Sequence, residues 1–148
     1  MKTLVVYDSL YSNTKAVAQA VGEAIPGEVK VVHVGEANAS EVAAYELLVV
    51  GAPTHGAKPS PKMKEFLDQI QPPALKGINV AGFDTRMKNR LILLFGTAAP
   101  KIAKALKQKG GTLVGSAEGF FVTGGEGPLK DGERERAAAW AKGLVGGG

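Results

Sequence analysis

Hydroxyl and amide side chains crowd into one short stretch, Asp8-Ser9-Leu10-Tyr11-Ser12-Asn13-Thr14. The apolar run Thr3-Leu4-Val5-Val6-Tyr7 precedes it, and Val17, Ala18, Val21 and Ile25 follow at helical spacing. The stretch therefore reads as a loop between a buried strand and a helix. Unpaired N–H groups and the positive end of the dipole at a helix N-terminus suit an anion, most naturally a phosphate. The loop has neither the Gly-x-x-x-x-Gly-Lys spacing of a nucleoside-triphosphate loop nor the Gly-x-Gly-x-x-Gly of a dinucleotide fold. That leaves a phosphomonoester held by hydroxyls and backbone without a lysine. The alternative is that Ser12 or Asn13 simply caps the helix.

Two further stretches break the pattern of buried strands. Ala52-Pro53-Thr54-His55-Gly56-Ala57-Lys58-Pro59-Ser60-Pro61 follows the apolar run Leu47–Gly51, and its glycine and prolines suggest a fixed shape. Asp84-Thr85-Arg86-Met87-Lys88-Asn89-Arg90 follows Ile78–Phe83. His33 lies inside a β-branched run and reads as a hydrogen-bonded structural residue rather than a catalyst. With no cysteine in the chain, disulfides, thiolate catalysis and cysteine-ligated metals are excluded.

These loops need elements to hold them. Helices are expected at Thr14–Ile25, from Ser40, at Met63–Ile70 before Pro72-Pro73, after Gly96-Thr97, and at the C-terminus with Ala137, Trp140, Ala141 and Leu144 on one face. Strands are expected at residues 3–7, 29–34, 47–51 and 78–83, with a final strand formed by Thr112–Gly115 and Phe120–Val122 and interrupted between them. Leu91–Phe95 is ambiguous, an apolar segment over the core or at an interface. Alternating strands and helices imply an α/β fold: one doubly wound, five-stranded parallel sheet between two helix layers. The common order 2-1-3-4-5 binds ligands at the carboxyl ends of strands one and three, where the three unusual loops converge. A length of 148 residues fits a single domain, 1–148, with Gly146–Gly148 as a frayed tail.

The net charge of +4 is uneven: −3 over residues 1–57, +8 over 58–109 and −1 over 110–148. The basic block suits an acidic partner. It has neither aromatic interleaving nor a nucleic-acid motif, so a solvated lysine face is favoured over nucleic acid. No apolar run approaches the roughly 18 residues of a membrane span. The N-terminus shows no signal-peptide pattern, and the cytoplasm is the expected compartment.

Over about residues 2–145 the chain resembles the flavodoxins, in their short-chain form. Ser9-Leu10-Tyr11-Ser12-Asn13-Thr14 resembles their phosphate loop, Gly51-Ala52-Pro53-Thr54-His55-Gly56 the loop on one face of the flavin ring, and Phe83-Asp84-Thr85-Arg86 the loop on the other side. The resemblance implies FMN as cofactor. Ser9, Ser12, Asn13 and Thr14 would donate to its phosphate, with Leu10 and Tyr11 contributing backbone. Pro53, Thr54, His55 and Gly56 would line the isoalloxazine, and the Gly56 peptide would reorient toward flavin N5 on reduction. Asp84, Thr85 and Arg86 would meet the pyrimidine side. Two departures stand out: the family is typically acidic whereas this chain is basic, and its third loop usually carries a stacking aromatic where this one has Thr85, Arg86 and Met87. The resemblance implies a one-electron carrier between redox partner proteins, and assigns no oligomeric state. An oxidoreductase of the same fold acting on a quinone or a porphyrin precursor is the nearer alternative. A flavin-free module binding a protein partner through residues 58–109 is the other.

Overall fold

In a computed structural model of the chain, residues 1–54, 58–88, 96–124 and 126–146 are described. Apolar runs form the strands β1 (Lys2–Tyr7), β2 (Glu28–His33), β3 (Leu47–Pro53), β4 (Asn79–Met87), β5 (Thr112–Leu113) and β6 (Glu118–Val122). The helices are α1 (Asn13–Ala24), α2 (Pro61–Gln69), α3 (Ala98–Gln108) and α4 (Glu133–Gly146). The sheet runs β2-β1-β3-β4-β5, with β6 also paired to β4, and every pairing of these strands is parallel. This is the doubly wound order expected from the sequence.

Strand alternation divides the core in two. Leu4, Val6, Leu48, Val50 and Val80 face α2 and α3, packing on Met63, Phe66, Ile102 and Leu106. Val5, Val49, Ala81 and Phe83 face α1 and α4, against Val17, Val21, Ala137 and Ala141. β3 is buried on both faces, which explains its unbroken apolar run. Gly51 sits opposite Phe83 in the ladder. A Cβ there would fall 2.0 Å from the Phe83 ring, so the missing side chain makes room for the aromatic. Phe83, Phe120 and Trp140 meet edge to face with centroids 5.9–6.1 Å apart.

The structure moves several boundaries. The turn after Ser40 is a 3₁₀ segment, Ala39–Ala44, rather than an α-helix. The final strand is two strands, both registered on β4. α4 includes Gly146, expected in the tail, and Gly147 and Gly148 lie outside the described residues. The largest shift is in β4. It was expected to stop at Phe83, but Asp84, Thr85 and Arg86 continue the ladder, opposite Ala52 and Pro53 on one side and Gly119–Phe121 on the other. Polar residues survive in that central strand because Asp84 finds buried partners. Leu91–Phe95 lies outside the described residues.

Candidate functional site

The loop between β1 and α1 is held from below by Asp8. Its Oδ1 accepts from the Ser9 N–H (2.9 Å) and its Oδ2 from the Ser60 hydroxyl (2.5 Å). His33 Nε2 lies 3.3 Å from Asp8 Oδ1, while His33 Nδ1 accepts from the Gly35 N–H (3.0 Å). With Nδ1 accepting, a neutral His33 carries its proton on Nε2, the nitrogen that faces Asp8 at that distance. His33 is thus a hydrogen-bonded structural residue, as its place in a strand suggested.

Ser12 stands at the helix boundary with φ 65° and ψ 5°, and its side chain makes no capping bond. Asn13 does not cap the helix through its side chain either: its Nδ2 donates to the Glu126 carbonyl (3.2 Å), against Gly127, whose Cβ would fall 2.4 Å from the amide. Thr14 Oγ1 and Thr85 Oγ1 share a buried 2.8 Å hydrogen bond that joins the start of α1 to β4. Ser9 Oγ accepts from the Lys15 N–H at 3.4 Å. Among the described residues no acceptor takes the N–H groups of Leu10, Tyr11, Ser12, Asn13 or Thr14. Five consecutive donors with no partner among the described residues, around a left-handed residue at a helix N-terminus, are the kind of backbone that suits an anion.

Above the loop lies a cleft of about 190 Å³. Ser9, Leu10, Tyr11, Asn13 and Thr14 form its floor, Pro53 and Thr54 one wall, and Thr85, Arg86, Met87 and Val122 the other. Leu10, Tyr11 and Met87 are the exposed apolar side chains of this rim. Thr54 is fixed at both ends. Its N–H donates to the Thr85 carbonyl (3.0 Å), and its hydroxyl oxygen accepts from the Ala98 N–H (3.1 Å) at the start of α3.

Asp84 does not line the cleft. It is fully buried and accepts from the Ala99 N–H (2.8 Å) and from Arg86 through two bonds, Nε to Oδ1 at 2.7 Å and the second nitrogen to Oδ2 at 2.8 Å. Its carboxylate caps α3 and neutralises Arg86, which leaves none of it to meet a ligand by the side chain. Arg86 reaches the cleft across Gly119, where a Cβ would fall 2.1 Å from the guanidinium carbon. So of the expected site residues the cleft gathers Ser9, Leu10, Tyr11, Asn13, Thr14, Pro53, Thr54, Thr85 and Arg86. Ser12 shapes the loop without lining the cleft, and His55 and Gly56 lie outside the described residues. Sequence reasoning missed Met87 and Val122 as lining residues. Had β4 been followed past its polar positions, the ladder pair Met87–Val122 would have placed both at the mouth.

The geometry defines a doubly wound α/β protein with a phosphate-type loop and an open, partly apolar cleft at the carboxyl ends of β1, β3 and β4. The flavodoxin family model matches residues 5–140. A flavodoxin of Aquifex aeolicus is 41% identical over 73 residues, which are 47% of this chain and 40% of that protein's length. Among solved structures, a flavodoxin from the domain Archaea superposes with a TM-score of 0.82 at 24% identity, covering 99% of this chain and 98% of the other. Flavodoxin 2 from Bacillus cereus superposes with a TM-score of 0.83 at 22% identity over the whole of both chains. The chain belongs to the flavodoxin family. Among the described residues no helix is long and apolar enough to cross a membrane, and no group of three or more His, Cys, Asp or Glu is placed to hold a metal ion.

Proposed function

We propose that the chain, acting as one domain in the cytoplasm, binds FMN and carries single electrons between redox partner proteins, at least one of which presents an acidic surface. The observation that carries this reading is the run of N–H groups from Leu10 to Thr14 at the mouth of α1, which find no acceptor among the described residues. It offers a phosphate several charge-assisted donors in a shape already set by Asp8. The residues present fit a flavin mononucleotide. The loop would hold its phosphate, Thr14, Thr54 and Thr85 would line the cleft beside it, and Pro53, Met87, Leu10 and Tyr11 would offer apolar surface to a flat ring. The bound flavin supplies the redox chemistry, and the protein supplies binding, orientation and electrostatics. No side chain needs to act as acid or base. Arg86, paired with Asp84, contributes a planar surface with little net charge.

The test is a titration of the purified protein with FMN and with riboflavin, followed by absorbance. FMN should bind at least about a hundredfold tighter, the equivalent of about 3 kcal/mol from two charge-assisted hydrogen bonds. Equal affinity for both flavins would remove the phosphate site and this reading with it.

A further inference from the structure

Thr14 and Thr85 are 71 residues apart in the chain and meet through their side chains. Along β4 the side chains of Ala81 and Phe83 face α1 and α4, and Thr85 continues that alternation toward the first turn of α1. There its Oγ1 stands 2.8 Å from Thr14 Oγ1. Both residues line the cleft, and both are almost wholly buried, Thr14 at 1% exposure and Thr85 at 6%. The main chain of Thr85 is fixed independently of this bond. It lies in the ladder between Pro53 and Phe120, and its carbonyl accepts from the Thr54 N–H.

Each hydroxyl carries one hydrogen. The bond between the two threonines uses one hydrogen and leaves the other for an acceptor outside the pair. That bond can run in either direction. If Thr14 donates, the spare hydrogen belongs to Thr85, in the wall of the cleft. If Thr85 donates, it belongs to Thr14, in the loop. The Thr14 N–H is one of the run that finds no acceptor among the described residues. An anion seated on that run therefore lies beside Thr14 and draws the spare hydrogen to its side. Thr85 must then be the donor within the pair.

We propose that Thr85 is a positioning residue for the phosphate: it donates to Thr14 Oγ1 and so turns the Thr14 hydrogen toward the anion, instead of meeting the pyrimidine side of a flavin ring. This role rests on the FMN reading above and names how that site separates a phosphorylated flavin from an unphosphorylated one. Hydrogen bonds that end on a charge polarise one another, so the second hydroxyl strengthens the first. Serine at position 85 keeps the relay, and valine or alanine breaks it.

The experiment titrates FMN and riboflavin into the parent and its variants, followed by absorbance. Thr85→Val should lower the ratio of the two affinities about tenfold, roughly the value of one charge-assisted hydrogen bond. Thr85→Ala should do the same, which assigns the loss to the hydroxyl and not to the shape of valine. Thr85→Ser should restore the ratio to within about threefold of the parent. Thr14→Val should lower it too, and the double variant Thr14→Val, Thr85→Val should lower it no further than Thr14→Val alone, because Thr85 acts only through Thr14. The ³¹P resonance of bound FMN should move in Thr85→Val and return in Thr85→Ser. A contact with the ring would instead shift the flavin absorbance bands and weaken both flavins alike. A purely structural role would lower the urea midpoint and leave the ratio unchanged. Either result overturns the proposal, as do single-variant losses that add in the double variant. Inorganic phosphate, added to the full chain without flavin, separates the two readings. If it raises the urea midpoint of the parent more than that of Thr85→Val while FMN fails to bind, the relay stands and the FMN reading falls. If FMN outbinds riboflavin by the same factor in the parent and in Thr85→Val, the FMN reading stands and the relay falls. Equal affinity of the parent for both flavins, with no effect of phosphate, removes both.

Discussion

Ser12 occupies a backbone region that costs a residue with a Cβ about 1–2 kcal/mol. The loop keeps that shape because Asp8 holds Ser9 from below and Asn13 is tied to Glu126. Glycine would relieve the strain, at the expense of about 0.5–1 kcal/mol in backbone freedom. Ser12→Gly should therefore stabilise the flavin-free protein by about 0.5–1 kcal/mol, read as a higher urea midpoint at unchanged slope. A lower midpoint would mean that the hydroxyl makes a contribution the geometry does not reveal. Arg86 carries the opposite sensitivity. Its guanidinium is what balances a carboxylate with no exposed surface. Arg86→Gln strands Asp84 in the interior and should cost about 3–5 kcal/mol, the usual penalty for breaking a buried pair from one side. An arginine at the flavin's pyrimidine side, as the resemblance implied, and unpaired with Asp84 would cost a few tenths, so the urea midpoint distinguishes the two.

At the scale of elements, β6 is clamped to α4 by one arginine. Arg136 donates to both carboxylate oxygens of Glu133 (2.9 and 2.7 Å), to Glu118 (2.8 Å) and to the Gly119 carbonyl, and its guanidinium lies 4.6 Å from the Phe120 ring centre. Glu133 Oε2 in turn accepts from the Phe121 N–H at 2.7 Å. The Arg136 hydrogen bond, helped by the Phe121 N–H against the opposing effect of burial, holds the Glu133 carboxyl below the ordinary glutamate range. A depressed carboxyl stabilises the fold above its unfolded value, and that contribution is lost as pH falls through the folded one. Glu133→Gln should cost about 1–3 kcal/mol at neutral pH, and the gap to the parent should close on acidification below the ordinary glutamate range. A gap independent of pH would mean that the carboxylate's charge is not what holds the clamp. Gly119→Ala, in the same strand, would push its Cβ into the Arg86 guanidinium and should cost about 1–3 kcal/mol by overpacking.

These same elements show what the sequence could disclose. Apolar runs and helical spacing revealed the alternation of strands and helices, because sheet burial writes itself into local hydropathy, and the common order for that pattern brought three loops to one edge. The polar end of β4 was illegible. Asp84 is tolerated there only because the start of α3 lies against it and Arg86 folds back over Gly119, and both contacts depend on tertiary placement. The break between β5 and β6 was legible, but the same reason hid the reach of Val122 to the cleft.

Taken as a whole, the molecule has two unlike faces. α2 and α3 carry an excess of lysine, while α1 and α4 mix Lys15, Arg134, Arg136 and Lys142 with Glu23, Glu133 and Glu135. Lys58 and Lys88 extend the basic side toward the cleft edge, so the field there should be positive without help from the neutralised Arg86. Oxidation of the reduced flavoprotein by ferricyanide, a small anion, should slow as ionic strength rises, and oxidation by a cationic cobalt complex should speed up. Stopped-flow rates at low and physiological salt decide this, and the reverse order would place the negative end of the molecule at the cleft.

Both helices of the basic face begin against residues that line or brace the cleft. Ser60, at the head of α2, is bonded to Asp8, and the first N–H groups of α3 end on Thr54 and Asp84. The basic face and the cleft therefore share anchors, and any coupling between them obeys a symmetry. If filling the cleft changes how tightly the basic face holds a partner by some factor, that partner must change the cleft's affinity for its ligand by the same factor. A carrier built this way would register, in how firmly it keeps its cofactor, whether it is docked.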